Sequence, residues 1–475
     1  MLFNTLQFFV FFALVYALYV MFDHKRQNRM LLVASYIFYG SWDWRFLFLI
    51  LFSTALNYVC GIKISAINEP AKRKLLICLC VIGNLSVLGF FKYFNFFISS
   101  LETLLSYFGF SPQTHLFNII LPVGISFYTF QAMSYPIDIY RKKLTPTKNF
   151  CDFALFIAYF PQLVAGPIER ASHLLPQILA PRRVTLDKFY EGAYLIFWGL
   201  FLKVFVADNL AGIVDPVFNS AAPYNGAAVI VAVYAFAFQI FCDFAGYSTI
   251  ARGLGKCMGF DIMLNFNLPY FSTNPREFWQ RWHISLSTWL KDYLYIPLGG
   301  NRKSTLGTYR NLAITMLLGG LWHGAAWTFV IWGAYHGFLL ISHRIMIPWL
   351  KTIKQPQNVF AARIWFFMRV VFFFQLTCFG WMIFRAQSMT QAHQMLQGII
   401  HNFNLFAPGL SSISRKLIFF TWILILVQVW QFVKKDLLFI MKCNFAIRTL
   451  FYLACFFLLA LFGVTSAKEF IYFQF

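Results

Sequence analysis

Acidic side chains are scarce in this chain: 17 Asp and Glu stand against 39 Lys and Arg among 475 residues, and charged residues of both signs make up 12%. A water-soluble domain carries about 25% charged residues, so the deficit excludes an ordinary soluble protein. Several familiar chemistries lack their sequence patterns as well. There is no GxxxxGK loop to cradle phosphates, no HExxH for a zinc peptidase, no GxSxG nucleophile turn and no GxGxxG opening a helix after a strand. The cysteines (Cys60, Cys78, Cys80, Cys151, Cys242, Cys257, Cys378, Cys443 and Cys455) lie mostly inside apolar runs without a CxxC pair, so neither a disulfide framework nor a zinc site is expected. No internal repeat and no low-complexity tail occurs, and the paired broken helices of secondary transporters are not found.

Apolar surface is what the chain has in excess. Hydrophobic residues make up 60%, with 61 Phe, 23 Tyr and 14 Trp, and a soluble chain of that kind would expose aggregating patches. At about 20 residues per span the apolar pool sets a ceiling near about 14 helices, and because loops and half-spans also consume apolar residues, about 9–12 are expected. The chain is read as all-α, a polytopic integral membrane protein forming a single domain over residues 1–475. Its net charge of +22 would suggest a polyanion partner in a soluble protein. Here the rule that basic residues collect in cytoplasmic loops accounts for it, with anionic lipid head groups as neighbours and no nucleic acid.

Residues Leu2 to Phe22 form an apolar stretch without a basic start or a small-residue cleavage site, and read as a first span rather than a removable leader. The following Lys25, Arg26 and Arg29 place that loop in the cytoplasm and the N-terminus outside. Later gaps alternate accordingly, with Lys63, Lys72, Arg73 and Lys74 in the next basic loop. Several apolar runs are broken: Lys92 and Asn95 interrupt a Phe-rich segment, and Pro122, Gly124, Pro136, Pro161, Gly166 and Pro167 interrupt others. Irregular backbone at membrane depth survives only where protein or a water-filled cavity supplies partners. Re-entrant segments around an internal cavity are therefore expected, with Pro-kinked helix packing as the plainer alternative.

The most polar stretch runs from Arg252 to Arg310 and by charge faces the cytoplasm. Within it Asn274, Pro275 and Glu277 suit the cap, first and third positions of a helix. Phe278, Trp282, Leu286 and Trp289 recur at helical spacing, which predicts an amphipathic helix over about 275–293, on or dipping into the membrane with its tryptophans at the interface. His283 sits in that segment. Further on, His323 is flanked by Trp322, glycines and alanines inside a strongly apolar run, and an ionisable residue there is a functional-site candidate by default. In its neutral form a ring nitrogen can accept a proton from a hydroxyl. A core histidine bonded to a carbonyl is the competing reading for His323, and an interfacial residue among tryptophans is the one for His283. His336 reads as packing or support, and His24, His115, His173, His343, His393 and His401 are assigned no role. Two histidines without a nearby Cys or a suitably spaced carboxylate give no metal site.

At these residues the sequence resembles the membrane-bound O-acyltransferase family, and within it the bacterial polysaccharide branch that includes alginate O-acetylation. The resemblance rests on ordered blocks: FFKYFNFF at 90–97, LPVGISFYTFQ at 121–131, YPIDIYR at 135–141, FPQLVAGPIER at 160–170 and FCDFAGYSTIA at 241–251. It continues through FWQRWHISLSTWLKDY at 278–293, YIPLGGN at 295–301, LGGLWHGAAW at 318–327 and WMIFRA at 381–386. They define a characteristic core of about 90–386, followed by peripheral C-terminal spans at about 387–475. The resemblance implies a ring of helices around a central funnel, with His323 as the essential catalytic residue and His283 as the second polar one.

It also implies an acyl, best acetyl, moving from a cytoplasmic thioester to an extracytoplasmic polysaccharide such as alginate or peptidoglycan, at the bacterial inner membrane. An extracytoplasmic esterase-like partner is expected, since this chain carries no soluble hydrolase domain. Acetyl-coenzyme A enters as donor substrate, and no permanently bound cofactor is expected. Arg281, Asp292, Trp282 and Trp322 are candidates for holding donor or acceptor, and Arg276, Lys291, Arg302 and Lys303 for attracting phosphates, although the same basic residues satisfy the topology rule unaided. General-base and acyl-histidine roles for His323 both remain open. Two other readings are D-alanyl transfer to teichoic acid and a non-enzymatic transporter or scaffold. The chain is long for the first, and the concentration of polar residues in one segment disfavours a transporter.

Overall fold

The computed structural model describes residues 1–110, 117, 119–164, 166–302, 304–353, 356–464 and 470–471. All regular structure among them is helical, the outcome expected of a chain that must satisfy its backbone polar groups within each segment. Eight continuous helical segments are long and apolar enough to cross a membrane: His24–Ala66, Pro70–Tyr107, Leu186–Phe218, Gly226–Cys257, Trp327–Thr352, Val359–Arg385, Leu410–Lys434 and Phe445–Phe462. Apolar residues also fill shorter helices such as Leu6–Met21 and Ile125–Tyr140, which residue arithmetic counts together with the spans.

The chain divides into two compact units. In the first, formed by residues 1–196 and 250–263, the short helix Ile125–Tyr140 is buried over almost its whole length and packs against Leu47–Ala66 and Pro70–Leu88. Gly124 starts that helix in the left-handed region at φ 73°, and a Cβ there would sit 2.9 Å from the Leu163 carbonyl oxygen, so a residue without a side chain is required. Nearby, Ser53 and Asn57 each donate to Asn84 Oδ1 at 3.0 Å, and Asn84 returns a bond to Asn57 Oδ1 at 3.2 Å. Such bonds hold helices together where the surrounding lipid provides no hydrophobic drive between them.

The second unit comprises residues 197–249 and 264–475. Its centre is a hairpin of Thr305–His323 and Trp327–Thr352, against which Val359–Arg385 packs. Ser304 caps the first arm by accepting from Gly307 N at 2.9 Å. The apolar run at about 311–345 is thus two helices, split at Gly324–Ala326. By contrast, the Phe-rich break around Lys92 is a π turn, Gly89–Tyr93, inside one continuous helical segment. A wider turn absorbs the irregularity there without re-entry.

Candidate active site

The hairpin carries His323 because its arms touch backbone to backbone. A Cβ on Gly320 would lie 3.0 Å from the Gly333 Cα and would collide with the Phe329 carbonyl; a Cβ on Gly333 would collide with the Met316 carbonyl. Glycines at both positions let the arms close, and His323 ends the first arm at the hairpin tip. It is 3% exposed. Its ring stands edge-on to Trp322, Trp332 and Phe384, with centroids at 5.1, 5.0 and 5.5 Å. A cavity of about 80 Å³ opens beside it, lined by Trp279, Leu286, Ser287, Leu290, Thr315, Met316, Gly319, Trp332 and Leu340.

His283 lies beside it, the two imidazole centroids 6.4 Å apart. The amphipathic helix expected over 275–293 is interrupted at this residue. Pro275–Arg281 stops, His283 takes φ 42°, and Ile284–Leu290 begins. The physical reason is a backbone exchange with an irregular segment: Asn267 N donates to the Arg281 carbonyl and Ile284 N to the Asn265 carbonyl, each at 2.9 Å. These bonds replace helical ones and turn the histidine inward, where it is fully buried. The predicted start of the helix is observed, since Asn274 Oδ1 accepts from Glu277 N at 2.9 Å and Glu277 reaches back to Thr273 N at 2.9 Å.

Asn265 orients His283. Its Oδ1 lies 3.1 Å from His283 Nδ1 and accepts from the Ser285 hydroxyl at 2.9 Å and the Ser285 N–H at 3.3 Å. An amide oxygen only accepts, so the imidazole hydrogen sits on Nδ1 and the lone pair on Nε2. Burial pushes the His283 pKa down to about 3, which keeps the ring neutral at ordinary pH.

Trp322 packs edge-on to both histidines. Trp282 is fully buried, 4.8 Å from Trp381 and stacked on Phe278; it is a wall of the aromatic cage, and the interfacial placement expected for it does not hold. Arg281 is ion-paired to Glu277 at 2.9 Å and donates to the Asn267 carbonyl at 3.3 Å, so its charge is already engaged in the fold. Asp292 lies in a π turn, Lys291–Tyr295, with Lys291 Nζ 3.7 Å away. Arg276, Lys291 and Arg302 are exposed, while Lys303 and His115 lie outside the described residues. Among the described residues no group of three or more His, Cys, Asp and Glu is placed to hold a metal.

The sequence did not single out Asn265, Trp279, Trp332 or Phe384, because their roles arise only when distant segments meet. His336 is 1% exposed, stacks on Phe278 at 6.0 Å and meets Trp332 at 4.7 Å. It joins the same cage one helical turn beyond Trp332.

A family model, that of the membrane-bound O-acyltransferases, matches residues 79–384. The chain is 47% identical over 392 residues to a probable alginate O-acetylase of Azotobacter vinelandii, covering 82% of this chain and 75% of the relative. It is 34% identical over 432 residues to a peptidoglycan O-acetyltransferase of Helicobacter pylori, covering 84% and 80%. A teichoic acid D-alanyltransferase of Bacillus subtilis is more distant, at 28% over 343 residues, covering 69% and 82%.

Proposed function

From its membership of the membrane-bound O-acyltransferase family, we propose that this chain acetylates an extracytoplasmic polysaccharide, alginate or a related polymer, with His323 at the reacting centre. It is an O-acyltransferase and a multi-pass membrane protein. The observation that carries the site assignment is the pairing of His323 with His283 beside a small apolar chamber. The chamber's size supports acetyl as the group transferred. An engineered apolar cavity of about 150 Å³ holds a benzene ring, so about 80 Å³ accommodates a two-carbon acyl.

In the reaction, the hydroxyl oxygen of the acceptor attacks the thioester carbonyl while His323 takes its proton. The tetrahedral intermediate expels the thiolate, which receives that proton, leaving an ester and a free thiol. The aromatic walls exclude water, so hydrolysis of the thioester does not compete. His283, held neutral by burial and oriented by Asn265, lies beside His323.

The donor in this reading is acetyl-coenzyme A, arriving from the cytoplasm, where Arg276, Lys291 and Arg302 attract its phosphates. The distribution of basic loops supports an N-terminus outside the cytoplasm, and the bacterial polysaccharide relatives support the bacterial inner membrane as its location. A separate extracytoplasmic transferase of the esterase type is the expected partner that completes delivery to the polymer.

The test supplies purified protein in lipid with isotopically labelled acetyl-coenzyme A and follows free coenzyme and labelled glycan by mass spectrometry. His323→Ala should abolish label transfer while the protein still inserts and purifies normally. Full transfer by that variant would overturn the role of His323. Neither coenzyme release nor label transfer by the wild type would overturn the donor.

A further inference from the structure

Cations inside the second unit are matched by carboxylates. Where the segment Leu186–Phe218 widens into a π turn at Phe201–Ala207, Lys203 Nζ lies 2.8 Å from Asp208 Oδ1 and 2.7 Å from Asp243 Oδ1, and Arg385 meets Asp215 at 3.0 Å. One cluster of basic groups departs from that pattern. Arg276 on the short helix Pro275–Arg281, His343 on Trp327–Thr352 and Arg369 on Val359–Arg385 come together where the first of these helices packs on the second and the second on the third.

Both guanidiniums lie within electrostatic reach of the His343 imidazole. Arg369 donates from Nη2 to the Thr273 hydroxyl at 3.1 Å, which brings it to the start of the helix that carries Arg276. Among the described residues that is the one hydrogen bond Arg369 makes, and Arg276 and His343 make neither a hydrogen bond nor an ion pair. The carboxylate nearest in sequence is already engaged: Glu277 pairs with Arg281 at 2.9 Å through Oε1 and accepts from the Thr273 N–H and hydroxyl at 2.9 and 3.0 Å through Oε2. Arg369 stands ten residues beyond Val359, the first of its span, or about 15 Å along it. A charge held there persists where it faces a partner or a site.

Basic groups gathered without a counter-ion select an anion. A guanidinium presents its N–H donors in a planar fork that fits the oxygens of a phosphate, and an imidazole adds an N–H in either tautomer. A carboxylate would fill one fork, whereas a tetrahedral phosphate has oxygens for both arginines and the ring. Arg344, Lys351 and Arg363 flank the connection between the two long helices, which by the topology rule puts the cluster toward the cytoplasm. Along Trp327–Thr352, His343 comes eleven residues after Trp332, about 16 Å, and the Trp332 ring meets that of His323 at 5.0 Å. A pantetheine arm spans that separation.

We infer that Arg276, His343 and Arg369 form a phosphate-binding site, which takes a phosphate ester of the donor's coenzyme or of an anionic lipid head group. The coenzyme source rests on the proposed donor, whereas the site itself does not. An exposed arginine alone attracts phosphates from a distance; the fork of Arg369, fixed by Thr273, and the ring of His343 give the phosphate a defined seat.

The test has two arms, both on the full-length protein. In phosphatidylcholine nanodiscs, calorimetry measures binding of coenzyme A and of phosphate-free pantetheine; from mixed phosphatidylcholine and phosphatidylglycerol, native mass spectrometry counts the phosphatidylglycerol that stays bound. The double variant Arg276→Gln with Arg369→Gln should weaken coenzyme A, or reduce retained phosphatidylglycerol, by about tenfold, or about 1.4 kcal/mol, with pantetheine unchanged. Arg369→Lys should recover only part of the loss, because an ammonium lacks the fork. Arg363→Gln removes the same charge from an exposed position on another face of the same helix, and should bind coenzyme A as the wild type does. Thermal melting checks that each variant is folded; if the double variant does not purify, Arg276→Gln alone, at an exposed position, should still weaken binding by about threefold. A loss in either arm upholds the site and names the source. Equal binding of both phosphate ligands by the folded variants would overturn the site while leaving acetyl transfer untouched. Retention of phosphatidylglycerol that depends on the cluster, with no coenzyme A binding by the wild type, would uphold the site and overturn the proposed donor instead.

Discussion

Replacing Gly333 with Ala tests whether the hairpin's close contact positions His323. The added Cβ would collide with the Met316 carbonyl and lie 3.2 Å from the Gly320 Cα. Both obstacles are backbone, so neither can rotate away, and the arms must separate. Overpacking of this kind costs about 1–3 kcal/mol of stability. A shift of about 1 Å at the reacting group costs about 100-fold in rate, so the activity loss should exceed what the stability loss explains. One turn further, Gly337 provides the control. Its Cβ would meet the Met316 Cβ at 3.4 Å and the Ala313 Cα at 3.6 Å, ordinary contact distances, and Ala is favoured over Gly in a helix by about 1 kcal/mol. Gly337→Ala should therefore retain transfer within about twofold of wild type, since it moves nothing near the tip. The assay is initial-rate transfer of labelled acetyl in lipid, normalised to folded protein by size-exclusion and thermal melting. Equal rates for Gly333→Ala and Gly337→Ala would refute the reasoning.

Asn265→Leu removes the acceptor for His283 Nδ1–H, the Ser285 hydroxyl and the Ser285 N–H. Each unserved buried donor costs about 1–3 kcal/mol; kcat should fall with the donor KM little changed, and Asn265→Asp should restore part of it, which a steady-state comparison of the three proteins decides. The His283 pKa is lowered from 6.5 to about 3, so the unfolded chain takes up a proton below pH 6.5 that the folded one refuses, and stability falls with pH until about 3. That contribution amounts to about 2 kcal/mol between pH 7 and pH 5. Thermal melts of wild type and His283→Gln should diverge over that window, with the wild type losing more, and parallel curves would contradict it. Lys203→Met leaves Asp208 and Asp243 buried without their cation, a loss of about 3–5 kcal/mol; a melting temperature unchanged from wild type would show that the ion triple is not needed.

The two histidines were legible because each stands out locally, one among glycines in an apolar run and the other among tryptophans in a basic one. The Asn274 cap was legible for the same reason, since a cap and its third helical residue are neighbours in sequence. The break at His283 was not. Its cause is hydrogen bonding to Asn265 and Asn267, residues in an irregular stretch where neither the helical nor the strand period applies. Lys203 was hidden inside an apolar run at about 189–214 because one lysine hardly lowers a window of apolar residues, and one of its partners, Asp243, lies on the next long helix. Trp282 shows the opposite failure: periodicity correctly assigned it to an apolar face, but the tertiary turn carried that face into the interior.

The π turn at Phe201–Ala207 has a consequence for how this chain tolerates change in length. A wide turn holds about one residue more than an α-helix needs over the same rise. Deleting a single residue there would let the turn tighten to α geometry with the flanking helix still in register, whereas a deletion elsewhere in the segment would rotate everything on one side by about 100°. A one-residue deletion at Phe201 or Leu202, just before Lys203, is thus a smaller disturbance to the Asp215–Arg385 pair than a deletion in the regular part of Leu186–Phe218, and the spare residue makes this stretch the place where the segment absorbs a change in length.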